Sequence, residues 1–306
     1  MKTVRELGAA AKAASRGLAL ATTEQKNAAL TSAARALDER RALILEANTL
    51  DVENAKAGGM SEAFIDRLTL TDARIDGMIE GVLEIVELDD PVGVTLERRE
   101  LECGLSLEKL TTPIGVIAVI FESRPNVAAD SAALCIKSGN AVILRGGKEA
   151  INSTTAICAA FSGALAEAGL PAEGAQLVGD TTRESATQLM TLNEYIDLLI
   201  PRGGRGLIRS VVDNASVPVI ETGAGVCHVY IDKDADLDMA AKILFNAKTS
   251  RPSVCNACEC ALVHEAVAEE FLPRAKALLD VIPVEIRGDG RTCEIIPGCL
   301  PATEDD

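Results

Sequence analysis

The chain has 306 residues, 48% of them apolar, enough for a substantial core and long for one compact domain, so two domains are expected. Five Phe, two Tyr and no Trp leave the core to Ala, Leu, Ile and Val and argue against base stacking. A net charge of −16 argues against nonspecific nucleic-acid binding, which needs a basic footprint.

Residues 3 to about 85 are rich in Ala, Leu, Glu and Arg, with apolar positions at helical spacing, as in NAALTSAARALDERRALILEAN, and the GGM at 58–60 separates two helices. The N-terminal MKTVRELGAAAKAASRG lacks the apolar core of a signal peptide, and no run approaches about 18 apolar residues; no membrane association is expected, and the expected location is the cytoplasm. The alternating segment VTLERRELECGLSLEKLTT, 94–112, predicts two strands joined around Cys103 and Gly104, with charged residues outward, an exposed hairpin.

From 113 to about 232 short apolar runs alternate with helical ones. VIAVIF, AVILRG, AQLV, IDLLIP, VPVIE and HVYID are predicted strands, and helices are predicted at 127–137, 149–168, 183–190 and 205–213. Strands alternating with helices predict a mostly parallel sheet covered on both faces, a dinucleotide-fold architecture. After 233 a second α/β unit begins, with helices near 237–248 and 265–279, so the expected division is 1–232 and 233–306. The nine cysteines show no secreted disulfide pattern; Cys135, Cys158 and Cys227, in apolar runs, are expected to be reduced core-filling thiols.

The stretch RPSVCNACEC, 251–260, places Cys255 between a helix and the strand ECALVH. A loop thiol with Lys248 and Arg251 nearby can be partly exposed in an electropositive setting, the conditions for a nucleophilic thiolate. A rival reading uses Cys255, Cys258, Cys260 and His264 as zinc ligands, but there is no second C-x2-C pair in the chain, and no metal is expected. Asn126, in RPNV, is open to the reading of a helix cap. Arg124, Lys248 and Arg251 are open to two readings: clamps for phosphate or carboxylate, or solvated surface charges. Gly203, Gly204 and Gly206, in PRGGRGLI, lie between strand and helix, where backbone N–H groups can meet a pyrophosphate, or where glycines only shape the turn.

Four segments together carry a resemblance: FIDRLTLTDARIDGMIEGV (64–82), PIGVIAVIFESRPNVAADSAALCIKSGNAVILRGG (113–147), PVIETGAGVCHVYID (218–232) and the RPSVCNACEC loop. They resemble the gamma-glutamyl phosphate reductase family of the aldehyde dehydrogenase superfamily. The resemblance implies an aldehyde-dehydrogenase-like α/β fold: a Rossmann-type domain, a catalytic α/β domain, and a hairpin used for homo-oligomerisation. It implies NADPH-dependent reduction of L-glutamyl 5-phosphate to L-glutamate 5-semialdehyde in proline biosynthesis, with glutamate 5-kinase as a partner. Cys255 would be the nucleophile, carrying the acyl group as a thioester, and Asn126 the oxyanion donor. Glu221 matches a glutamate that serves as general base in other members, a role a reductase does not need, so proton handling and cofactor orientation stay open for it. Arg145 stands where many members carry a ribose-binding Lys, and its charge suits the 2'-phosphate of NADP. Members of the family continue beyond the point where this chain stops at PATEDD, so a catalytic domain incomplete at its C-terminal end is expected. The alternatives are a noncatalytic nucleotide- or partner-binding fragment, or another aldehyde or acyl-CoA dehydrogenase.

Overall fold

Capping side chains set four of the first five helix starts in the N-terminal region, whereas the third helix begins without one. The helix α1 (Val4–Ala19) begins at a capping box of Thr3 and Glu6, and α2 (Thr23–Glu39) at one of Thr22 and Gln25. Helix α3 (Arg41–Ala57) ends at Gly58, followed by Gly59 at a φ of 71°, the left-handed conformation only glycine takes without strain. Ser61 caps α4 (Glu62–Leu68) and Thr71 caps α5 (Asp72–Glu87), each such cap contributing about 1 kcal/mol. These are features of a computed structural model that describes residues 2–221, 223, 225–252, 254–304 and 306.

Strands β1 (Thr95–Glu100) and β2 (Ser106–Leu110) pair antiparallel with Arg99 opposite Leu107, and Gly104 turns the chain at a φ of 83°. Every residue of both strands is exposed, as the alternation of charge predicted.

The parallel sheet follows: β3 (Val116–Phe121), α6 (Asn126–Lys137), β4 (Ala141–Arg145), α7 (Ile151–Glu167), β5 (Ala175–Leu177), α8 (Arg183–Thr191), β6 (Leu198–Arg202) and α9 (Arg205–Asn214). The strand order is β5-β4-β3-β6, with all three pairings parallel. VIAVIF is buried at all six positions, which an unbroken apolar run requires of a strand covered on both faces. Ala128, Ala129, Ala132 and Ala133 of α6 are fully buried, their small side chains allowing close approach to the neighbouring elements. The predicted strand VPVIE reduces to a single parallel bridge, Leu199 to Val219.

The chain divides into two units, Met1–Thr222 and Gly223–Asp306. The division falls ten residues before the expected 232, because β7 (Cys227–Ile231) pairs in parallel with β8 (Cys258–Val263) rather than with the first sheet. A parallel pair needs a crossover, supplied by α10 (Leu237–Thr249). Helix α10 packs on α11 (Ala268–Leu279), and Ile231, Leu244, Cys258 and Phe271 form the centre of this unit's own core. The unit ends with a short parallel pair, β9 (Arg287–Gly288) and β10 (Leu300–Pro301), around α12 (Gly290–Ile295).

Candidate active site

The strand order reverses at β3: β4 and β5 lie to one side and β6 to the other. In open parallel sheets the crevice outside the carboxyl ends at such a switch is where ligands bind. Here the ends of β3, β4 and β6 bring Glu122, Asn126, Arg145, Gly203 and Gly204 to one edge of the first unit.

Asn126 is the first residue of α6, not its cap; Pro125 takes the cap position and offers no side-chain hydrogen bond. The Asn126 side chain is exposed, and its Nδ2 donates to Asp130 Oδ2 at 3.1 Å, one helical turn on. Desolvation raises the Asp130 carboxyl above the usual carboxylate range, opposed by the Asn126 hydrogen bond and the charge of Arg202. Arg124 is half-buried, and its backbone N–H donates to Glu122 O at 2.7 Å.

The glycines of the turn differ in their surroundings. A Cβ on Gly203 would come within 2.7 Å of Glu122 Cδ and 2.8 Å of Leu207 Cδ2, so a side chain there needs its neighbours to move. A Cβ on Gly206 would meet nothing within 4 Å. The Gly204 N–H, expected to face a pyrophosphate, donates to Glu122 Oε2 at 2.9 Å. An internal carboxylate thus takes the place at the α9 N-terminus that the sequence reading left for an anionic ligand.

Arg145 closes β4, and its Nη2 donates to the carbonyls of Thr181 at 2.7 Å and Thr182 at 2.8 Å, while its Nε is buried without a hydrogen-bond partner. Burial pulls the guanidinium below its usual range, against Glu149 and Asp180 nearby. Its tether to the 181–182 turn leaves part of the cation unsatisfied. The Arg145 cation and the Gly203–Gly204 turn at the N-terminus of α9 fit a dinucleotide, on condition that the Glu122 carboxylate leaves Gly204. Glu221 is exposed, two residues past Val219.

In the second unit, Cys255 is exposed in the turn between α10 and β8. The Ala257 N–H donates to Val254 O at 3.2 Å and the Val254 N–H to Arg251 O at 3.3 Å, so backbone bonds shape the turn on both sides of the thiol. Cys227 is half-buried rather than a core filler, and its thiol donates to Cys255 O at 3.5 Å. Cys135 and Cys158 are buried as expected. Lys248 is half-buried, and its charge acts on Cys258; burial is the largest influence there and raises that thiol. Arg251 is exposed. Lys248, Cys258, Cys260, Phe271, Arg287 and Arg291 help line a cleft of about 840 Å3. The Cys258 thiol donates to Cys260 O, the His264 Nδ1 accepts the Ala266 N–H, and no group of three or more candidate metal ligands gathers among the described residues.

Three residues of the resemblance segments, Thr222, Ala224 and Ser253, lie outside the described residues; none is a candidate site residue. Sequence reasoning passed over Glu122, Asp130 and Arg202. The N-x-x-x-D spacing of Asn126 and Asp130 was a legible signal, since residues four apart share a helix face. Glu122 had none, because its partner lies across the sheet.

Comparison with known proteins identifies the family. The profile of the aldehyde dehydrogenase family matches residues 1–293. The gamma-glutamyl phosphate reductase of Carboxydothermus hydrogenoformans is 51% identical over 306 residues, all of this chain and 74% of the relative. The crystal structure of gamma-glutamyl phosphate reductase from Thermotoga maritima superposes with a TM-score of 0.91 at 46% identity, over 99% of this chain and 73% of that one. The Saccharomyces cerevisiae protein of the same name gives a TM-score of 0.68 at 34% identity, over 96% of this chain and 74% of that one. The chain thus spans about three quarters of the length of these relatives. The match in sequence over its full length, and in fold over nearly all of it, places the chain in the aldehyde dehydrogenase family, among the gamma-glutamyl phosphate reductases.

Proposed function

We propose that the chain reduces L-glutamyl 5-phosphate to L-glutamate 5-semialdehyde with NADPH, releasing phosphate, as a step of proline biosynthesis. The observation that carries this reading is the exposed Cys255 between α10 and β8, in a chain half identical over its whole length to a protein named for that reaction. The family works with a nicotinamide cofactor on small-molecule substrates; its NADP form is favoured by the cation of Arg145 at the carboxyl edge of the sheet.

The Cys255 thiolate attacks the acyl carbonyl, the C–S bond forms, and the tetrahedral oxyanion collapses with loss of phosphate to a thioester. The Asn126 amide donates an N–H to that oxyanion, a kind of contribution typically a few kcal/mol. The cofactor, when bound, supplies hydride to the thioester carbonyl carbon. Cys255 then leaves as thiolate, the C–S bond breaks, and the aldehyde is released. Arg145, Gly203, Gly204 and Gly206 hold the cofactor in this reading. Arg124, Lys248 and Arg251 bind the leaving phosphate and the α-carboxylate. Glu221 orients the cofactor or moves a proton rather than activating water, because the thioester is reduced and not hydrolysed.

The same reading makes glutamate 5-kinase the source of the acyl phosphate and the cytoplasm the setting; among the described residues no helix is long and apolar enough to cross a membrane. It makes the β1–β2 hairpin a homo-oligomer contact, consistent with Leu96, Leu107 and Leu110 being exposed on it.

The test is phosphate-dependent reduction of NADP by glutamate 5-semialdehyde, on this chain and on Cys255→Ser. Turnover in the first and its loss by more than a thousandfold in the second is the expected result. Turnover that survives in Cys255→Ser would remove the thioester route, and turnover without phosphate would point to another aldehyde dehydrogenase.

A further inference from the structure

Asn126 and Asp130 stand one turn apart on α6, and the Asn126 Nδ2 donates to Asp130 Oδ2 at 3.1 Å. An ionised carboxylate only accepts hydrogen bonds, so it demands the NH2 end of the amide and not the carbonyl end. Without that demand the two ends of a carboxamide are nearly equal in size, and a flip would turn an oxygen toward a developing negative charge. We infer that Asp130 is a positioning residue that holds the Asn126 carboxamide with its second N–H free for the tetrahedral oxyanion, an inference that rests on the reading of Asn126 given above.

Three features support it. Asp130 lies in the second turn of a helix whose backbone fixes the spacing of the pair, so the contact does not depend on a loop. One N–H of an sp2 amide nitrogen points to Asp130, and the other diverges from it, leaving a donor aimed elsewhere. Arg202, at the end of the adjacent strand β6, acts electrostatically on Asp130, so a cation offsets the carboxylate's charge at the carboxyl edge where an oxyanion is to be stabilised.

The experiment compares Asn126→Ala, Asp130→Ala, Asp130→Asn and the Asn126→Ala/Asp130→Ala double variant with the unmodified chain in the reverse assay. Asp130→Ala is expected to lower kcat about tenfold with KM within twofold, less than the roughly 10²–10³ of removing an oxyanion donor outright. Asp130→Asn can present either end of its amide and no longer fixes the orientation, so its kcat is expected to fall between those of Asp130→Ala and the parent, and the double variant to be no slower than Asn126→Ala alone. An Asp130→Ala kcat equal to the parent, an Asp130→Asn as slow as Asp130→Ala or as fast as the parent, or fully additive losses in the double variant would each overturn the proposal while leaving Asn126 in place. An Asn126→Ala with parental kcat would instead remove the oxyanion role of Asn126, and the inference with it. A readout free of turnover comes from the side-chain amide resonances of the protein labelled with 15N-asparagine. The Asn126 pair, assigned by its loss in Asn126→Ala, should shift in Asp130→Ala and by a smaller amount in Asp130→Asn. Resonances indifferent to Asp130→Ala would overturn the proposal even if the chain does not turn over.

Discussion

Glu122 accepts the backbone N–H of Gly204 through Oε2 at 2.9 Å, so a side chain of the protein itself sits at the N-terminus of α9. A carboxylate there is stabilised by the helix dipole and competes with any anion that approaches the same N–H. Glu122→Gln keeps an acceptor of similar shape and removes the charge. NADPH is expected to bind this variant about fivefold more tightly, the equivalent of about 1 kcal/mol at a partly exposed helix end. Fluorescence titration of NADPH measures it, and weaker binding by the variant would mean that the carboxylate holds the cofactor instead of excluding it.

The cysteines should separate sharply in reactivity. Burial pushes the thiols of Cys135 and Cys158 up to about 12, whereas Cys255 and Cys103 are exposed. At pH 8, brief treatment of the native protein with iodoacetamide is expected to modify Cys255 and Cys103 and to spare Cys135 and Cys158. Peptide mass spectrometry reads the pattern; alkylated Cys135 in the folded protein would contradict the packing of α6.

Lys26 is 1% exposed, and its ammonium lies 2.6 Å from the Asp90 carboxylate. Asp90→Ala leaves that cation buried and unpaired, which is expected to destabilise the first unit by about 3–5 kcal/mol, and adding Lys26→Met should restore much of the loss. Burial acts to raise the Asp90 carboxyl, but hydrogen bonds from Lys26, Thr23 and the Val92 N–H outweigh it and set the folded value below the ordinary one. Because the folded value is the lower of the two, this contribution is fully present above the unfolded pKa near 4 and is lost as pH falls below it toward the folded value. Urea unfolding at pH 7 and pH 3 measures the difference, which should shrink in the Asp90→Ala/Lys26→Met protein.

Gly115 precedes β3 at a φ of 126°, and a Cβ on it would lie 2.2 Å from Asp197 Oδ2. That carboxylate already accepts the Val116 N–H at 2.8 Å and two contacts from Lys12 at 2.7 and 2.8 Å. Gly115→Ala therefore combines backbone strain with a broken network, and a loss of about 1–3 kcal/mol is expected in thermal or urea unfolding. An unchanged midpoint would show that Asp197 can move without cost.

The local chemistry of the chain was largely decided by its sequence. VIAVIF is β3 residue for residue, because a short unbroken apolar run rich in β-branched Val and Ile favours a strand covered on both faces. The hairpin around Cys103 and Gly104 and the helix after Arg124–Pro125 likewise follow from alternation and from turn residues. Cys255 could be singled out because a thiol flanked by Ser, Asn and Ala between two elements has no packing reason to be there.

What the tertiary structure alone decided are relations between residues far apart in the chain. The sequence pattern of HVYID matches a strand but not its partner, and only the pairing of β7 with β8 moved it into the second unit. The glycines of PRGGRGLI looked alike, yet Gly203 faces Glu122 and Leu207 while Gly206 faces open space, a distinction set by the register of Phe121 against Arg202. Period and composition report which face of an element is apolar. The identity of the group across that face depends on strand order and register, which arise from the packing of the whole sheet.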